Sequence, residues 1–267
     1  MQESRRNWFV VSYKQMKMRA DRFVKKTGLI GKSILYCHRI LAPRNTVTLI
    51  NYLSNRAQYK AYPAFGDFIE VDPSKIQLWL TEKEYEDISR VSAGSIISGD
   101  WDKFAINLTM LRPQDNFDKA KQVSVRQRYA GGVAWRDTDL FVYHYSVMVH
   151  SGAARGYSDL YALERHYINT YDKLFDLIEK EGIRRPQLSN PWPSWMYLHI
   201  GRNGELIWSS KGNHRLAMAI VCGYSSIPVR VLARHAEWQK IKEQIASGSK
   251  IRSALDQHPD LKRMLQA

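Results

Sequence analysis

Between Met196 and Leu232 the chain changes its hydrophobic pattern several times in under forty residues, and this stretch constrains the fold most. Met196 to Ile200 alternates like a strand. Gly201-Arg202-Asn203-Gly204 follows, with the Asn-Gly pair that favours hairpins. Glu205 to Trp208 reads as the return strand, and Ser209 to Gly212 as a small polar loop. From Asn213 the chain turns rich in Ala and Leu, a helix that Gly223 closes. Ile227 to Leu232 is then the next strand. Strands interleaved with a helix in this order build an α+β domain.

The start of that helix is a candidate anion site. Helix N-terminal N–H groups lack intrahelical acceptors, and the helix dipole favours negative charge there. Gly212 lets a phosphate approach the backbone. Lys211, Asn213, His214 and Arg215 surround it with donors and charge. The local residues leave two readings open. The turn holds phosphate, or His214 packs the turn while Arg215 pairs on the surface.

Upstream, residues 158–182 read as one long helix. Ser158 is its expected N-cap, Leu160, Leu163, Tyr167, Tyr171, Leu174 and Ile178 its buried stripe, and Gly182 its stop. The run from Lys211 to Ala219, then Gly223, then Ile227 to Val231, resembles the signature segment of the ParB/sulfiredoxin superfamily. The helix ending in Leu177-Ile178 resembles the superfamily helix before it, and Ile69 to Ile76 its first strand. The resemblance covers about 66–80 and 158–235. It implies a nucleotide-binding fold, because members hold nucleotide phosphates with this loop and helix. They include CTP-dependent partition proteins, sulfiredoxins, a free-serine kinase and proposed nucleases. Two departures matter. Asn213 stands where sulfiredoxins carry a reactive cysteine, and only 35 residues follow Leu232, too few for the partition proteins' helix-turn-helix domain.

About 75 residues, 81–157, intervene where the compact family fold has a short connection, and long segments beside ligand sites are commonly functional. Asp100 and Asp102 flank Trp101 in a turn; either would serve as general base on a hydroxyl acceptor or hold Mg²⁺ with the nucleotide phosphates. Asp-x-Asp turns are also ordinary surface features, and Trp101 and Trp135 are alternatively core anchors. Arg126 and Trp135 are candidate acceptor contacts. Arg234 and His235 follow the expected strand end and are candidates for the same ligand, since ligands sit beyond strand ends in α/β folds.

Charge divides the chain. Its 267 residues carry a formal +14, yet residues 1–60 hold thirteen basic side chains against two acidic ones and account for +11 of it. Phe9, Tyr13, Met16, Ala20 and Phe23 recur at helical spacing there. Such a basic amphipathic arm suits an anionic membrane surface or nucleic acid, or packs on its own body. Residues 236–267 are expected to add two short helices, around 235–245 and 259–265. Tyr36-Cys37-His38-Arg39 looks metal-like but has no second ligand pair. Two cysteines in no paired motif suit a reducing compartment. With no apolar run of about 18 residues and no signal-peptide pattern, the expectation is a cytoplasmic protein, docked by its arm on the inner membrane face if that arm binds lipid.

These readings converge on an enzyme. Lys211, Gly212, Asn213, His214 and Arg215 would bind a nucleoside di- or triphosphate with Mg²⁺. His214 and one of Asp100 or Asp102 would serve phosphoryl transfer to a small hydroxyl-bearing acceptor. The alternatives are a ParB-like nucleotide switch, non-catalytic or a CTPase, that engages DNA or membrane through the arm, and, more weakly, a ParB-like nuclease.

Overall fold

The computed structural model describes residues 52–63, 68–80, 93–185, 196–209, 211–249, 255 and 257–262. The amphipathic arm stripe, the 33–41 run and the Tyr36–Arg39 cluster lie outside the described residues. The chain divides at residue 50. Residues 52–58, at the end of the basic segment, are helical and sit with the body. Glu243 accepts hydrogen bonds from the backbone N–H groups of Lys60 and Ala61.

The body is a mixed helix-and-sheet structure. Its strands are β1 (Phe68–Val71), β2 (Leu78–Trp79), β3 (Ser95–Ile97), β4 (Ile106–Asn107), β5 (Tyr197–Ile200), β6 (Leu206–Trp208) and β7 (Ile227–His235). They form one mixed sheet in the order β1-β7-β5-β6-β2-β4, with β3 also on β7. β5 and β6 pair antiparallel as the Asn-Gly signal implies, through a three-residue loop whose Gly204 has φ 93°. A side chain there would strike the Trp238 ring at 2.8 Å, so glycine is required sterically as well. The expected 69–76 strand stops at Val71. Asp72 accepts from the backbone N–H and hydroxyl of Ser74, and Pro73 starts a 3₁₀ turn. The 81–157 segment adds to the sheet on both sides, with β3 parallel to β7 and β4 antiparallel to β2.

β7 runs three residues beyond the expected strand end. Its register on β5 slips between Leu198, opposite Val231, and His199, opposite Ala233, leaving Leu232 extra. A one-residue slip exchanges the two faces of a strand. Val229 and Val231 lie in the main core, whereas Ala233 packs with Leu80, Trp101 and Ile207 on the other face.

The described helices are α1 (Phe117–Tyr129), α2 (Asp139–Ser151), α3 (Leu160–Tyr167), α4 (Lys173–Glu181), α5 (Asn213–Val221) and α6 (Ala236–Ala246). α3 and α4 are the expected long helix, interrupted by a π-helical turn over Ile168–Asp172. Asp159, not Ser158, caps it, accepting from the N–H groups of Tyr161 and Ala162. Gly182 ends it as expected, with φ 75°. α5 lies between two cores. Leu216 and Ala219 face the sheet, and Ala217 and Met218 face the α1–α4 layer. An apolar helix buried on both sides needs no polar face. α6 matches the expected 235–245 helix; residues 263–265 of the second lie outside the described residues. Among the described residues, no helix is long and apolar enough to cross a membrane.

Candidate functional site

The Lys211–Arg215 turn sits where β6 feeds α5. Gly212 is the N-cap residue with φ 85°, and among the described residues no side chain caps the helix. A Cβ at 212 would lie 2.8 Å from Met196 Cγ, so only glycine takes this turn without strain. Lys211 is exposed, with its ammonium 5.6 Å from the Tyr197 ring centroid. Arg215 is half-buried, and burial lowers its guanidinium from the usual value.

Asn213 departs from its expected role. Its side-chain oxygen accepts from Trp208 Nε1 at 2.5 Å, and its amide donates to Asp118 on α1. Both ends of the amide hold the turn to its neighbours. Asp118 also accepts from Lys121 at 2.9 Å, and the Lys121 ammonium lies 3.7 Å from the centroid of the Phe117 ring.

His214 is buried, and its Nε2 has no hydrogen-bond partner among the described residues. Its ring stacks on Tyr171 at 4.0 Å and meets Tyr167 edge-on at 6.0 Å. Burial first, then the charges of Lys121 and Arg155, hold its pKa well below the usual imidazole value. His214 is therefore a neutral ring near pH 7, a hydrogen-bonding group rather than the cation the sequence suggested.

The π turn builds the wall beside it. π turns recur at functional sites. This one sets Tyr171 against His214 and turns Asp172 to a hub. Asp172 accepts from Arg128 (2.6 Å), the Tyr129 hydroxyl (3.0 Å) and Trp135 Nε1 (2.8 Å). Trp135 is fully buried, with its indole N–H given to Asp172. Arg126 is exposed on α1. The Tyr167 hydroxyl lies 3.0 Å from His144 Nε2 and accepts from Arg155 Nη1 at 3.1 Å; the Tyr171 hydroxyl accepts from Arg155 Nη2 at 3.2 Å. Burial, with help from Arg155 and Lys121, lowers His144 to about 4. A neutral His144 can accept the Tyr167 proton at Nε2, which orders the chain Arg155 to Tyr167 to His144.

Sequence reasoning missed Arg155. It is the one non-glycine residue with positive φ (53°) among the described residues, and Gly156 follows at 82°. Ala154 and Tyr157 exchange both backbone hydrogen bonds across this pair, closing a tight turn. Asn or Gly suits the first position of such a turn better than Arg. The Arg-Gly pair is the local sign that a reading for turn strain would have found.

The chain matches no family model, no curated protein and no solved structure. The site therefore rests on its own geometry.

The other nominated residues gather elsewhere. Trp101 packs against His199 and His235, on the sheet face opposite Trp208 and α5. Asp102 is clamped by Arg202 of the hairpin, which donates to it from the backbone N–H (2.8 Å), Nε and Nη2 (2.6 Å). Burial would raise the Asp102 pKa, but the hydrogen bonds from Arg202 bring it to about 2. Asp100 is exposed and pairs with Lys103 and Arg202, both at 2.9 Å. Among the described residues, no hydrogen bond or ion pair joins Asp100 or Asp102 to the Lys211–Arg215 turn. His235 Nε2 donates to Gly99 O at 2.8 Å, and its Nδ1 accepts from the Glu237 N–H at 3.1 Å. Both ring nitrogens are used in structure. Arg234, carried to the other face by the β7 bulge, is buried on Asp260 through Nε (2.9 Å) and Nη2 (2.5 Å). The structure thus brings together His214, Asn213, Asp118, Lys121, Tyr167, Tyr171, His144 and Arg155. It separates them from Asp100, Asp102, Arg234 and His235.

Proposed function

We propose that the chain binds a nucleoside di- or triphosphate at the Lys211–Arg215 turn of a ParB/sulfiredoxin-like core. It would then pass a phosphoryl group to a small hydroxyl-bearing acceptor. The observation that carries this reading is the opening of α5. A nine-residue helix begins on a left-handed glycine that brings no side-chain cap, and its buried His214 imidazole has no Nε2 partner among the described residues. The helix N-terminus supplies N–H donors and a favourable dipole, and a neutral His214 supplies a directional hydrogen bond. Phosphoryl transfer asks for positioning and charge neutralisation more than for covalent chemistry.

Magnesium would arrive with the polyphosphate. Asp100 and Asp102 do not fit as its ligands at this turn, because Arg202 occupies them on the opposite face of the sheet. Asp118, bonded to Asn213, is the carboxylate tied to the turn.

Isothermal titration of the full chain with ATP, ADP, CTP and GTP plus Mg²⁺ tests the binding. At least one nucleotide is expected to bind, and His214→Ala with Arg215→Ala to weaken it about tenfold or more. No binding by wild type, or unchanged binding by the double variant, would sink the reading. Nucleotide consumption that rises with a hydroxyl compound supports transfer. Binding without such turnover favours the nucleotide switch instead.

A further inference from the structure

We propose that Arg155 is a second anion-binding residue, which would hold the terminal phosphate of a polyphosphate whose other phosphates rest on the Lys211–Arg215 turn. The inference rests on the nucleotide reading above and adds that the site selects di- and triphosphates over monophosphates.

Three observations meet at this side chain. First, its position is fixed on rigid groups. Nη1 and Nη2 donate to the Tyr167 and Tyr171 hydroxyls, and Tyr171 itself stacks on His214 at 4.0 Å. Arg155 thereby sits one ring beyond the imidazole that opens α5. Second, donors remain. A guanidinium carries five N–H bonds, two of which go to the phenols, and the other three have no acceptor among the described residues. Third, the surroundings are cationic. Lys121 and Arg155 both bear on His214, and the nearby carboxylate, Asp118, is already taken up by Lys121 at 2.9 Å and by the Asn213 amide.

The backbone makes the same point. Residue 155 takes a left-handed conformation in which Arg is strained and Asn is at ease. The strained residue is the one whose side chain reaches the tyrosine pair. A helix N-terminus supplies backbone N–H donors and a favourable dipole to a phosphate. A second or third adds charge that needs its own planar, multidentate partner, and guanidinium is suited to that.

The test titrates the full chain with orthophosphate, pyrophosphate, AMP and ATP at constant ionic strength, comparing wild type with Arg155→Asn and Arg155→Lys. Wild type is expected to bind pyrophosphate and ATP. Arg155→Asn should weaken both about tenfold or more, while leaving AMP and orthophosphate within about twofold. Arg155→Lys, which keeps the charge and loses the fork, should fall between. Thermal unfolding guards against a trivial loss, because Asn suits the turn and should hold the midpoint at or above wild type. Wild-type-like pyrophosphate binding by Arg155→Asn overturns the inference and leaves the nucleotide reading standing. No binding of ATP or pyrophosphate by wild type overturns both.

Discussion

His199 is fully buried on β5, and neither ring nitrogen is hydrogen-bonded among the described residues. Burial without partners costs free energy in any protonation state. Replacing it with an apolar residue of similar size, His199→Leu, is expected to stabilise the fold by about 1 kcal/mol, read as a higher denaturant midpoint. The same ring belongs to a pH effect. Burial lowers His144 to about 4 and His199 to about 3, and holds His214 well down. In the unfolded chain each takes a proton near its ordinary pKa, which the folded ring refuses. Stability is thus fully present above about pH 6.5 and falls as pH drops toward 4, by up to about 1.4 kcal/mol per pH unit for each ring. Denaturant titrations at pH 7, 6 and 5 measure the slope, and His199→Leu should reduce it. A flat profile would show that these rings are not neutral in the fold.

At the scale of elements, the π turn between α3 and α4 does what a plain helix would not. It carries Tyr171 to His214 and Asp172 to Arg128, Tyr129 and Trp135. Deleting Asn169, exposed on this turn, should restore regular helix and rotate Tyr171 relative to Tyr167. Helix content by circular dichroism is expected to stay constant while nucleotide binding is lost; retained binding would detach the π turn from the site. Asp172→Asn should cost about 2 kcal/mol, because a charged acceptor serving three donors becomes neutral, and equilibrium unfolding reads that loss.

Much of the element scale was legible in the sequence. The β5–β6 hairpin, the α5 start and the stops at Gly182 and Gly223 depend on local rules: turn residues, caps and hydrophobic period. The π turn was not legible, because Tyr167, Tyr171, Leu174 and Ile178 keep a helical spacing whether or not one turn widens. Nor was the β7 bulge, since the register that makes Leu232 extra belongs to β5.

At the scale of the whole molecule, the segment at Asp260 is fastened to β7 and α6 through one carboxylate. Asp260 accepts from Arg234, Trp238 Nε1 and Lys242, the last two at 2.9 Å, and all four side chains are buried. Burial opposes ionisation, but the two cations hold the Asp260 carboxyl well below the usual range. Asp260→Ala would leave buried cations without this counter-charge and is expected to cost about 3–5 kcal/mol. Chemical denaturation checks it, and a loss under 1 kcal/mol would overturn this account.

The sequence by itself determined the order of strand, hairpin, loop and helix from Met196 to Leu232, and a glycine-opened helix flanked by His and Arg. Those are nearest-neighbour properties, fixed by φ preferences and hydrophobic period. It also placed most of the net charge, +11 of +14, in residues 1–60. The tertiary structure decided which charged groups share a site. It gave Asp100 and Asp102 to Arg202, Arg234 to Asp260, and Trp135 to Asp172, and it set Arg155 beside His214. Each pairing joins residues far apart in the chain. Their Coulomb and hydrogen-bond energies depend on distance and burial, quantities that exist only once the sheet register and the helix packing have been formed.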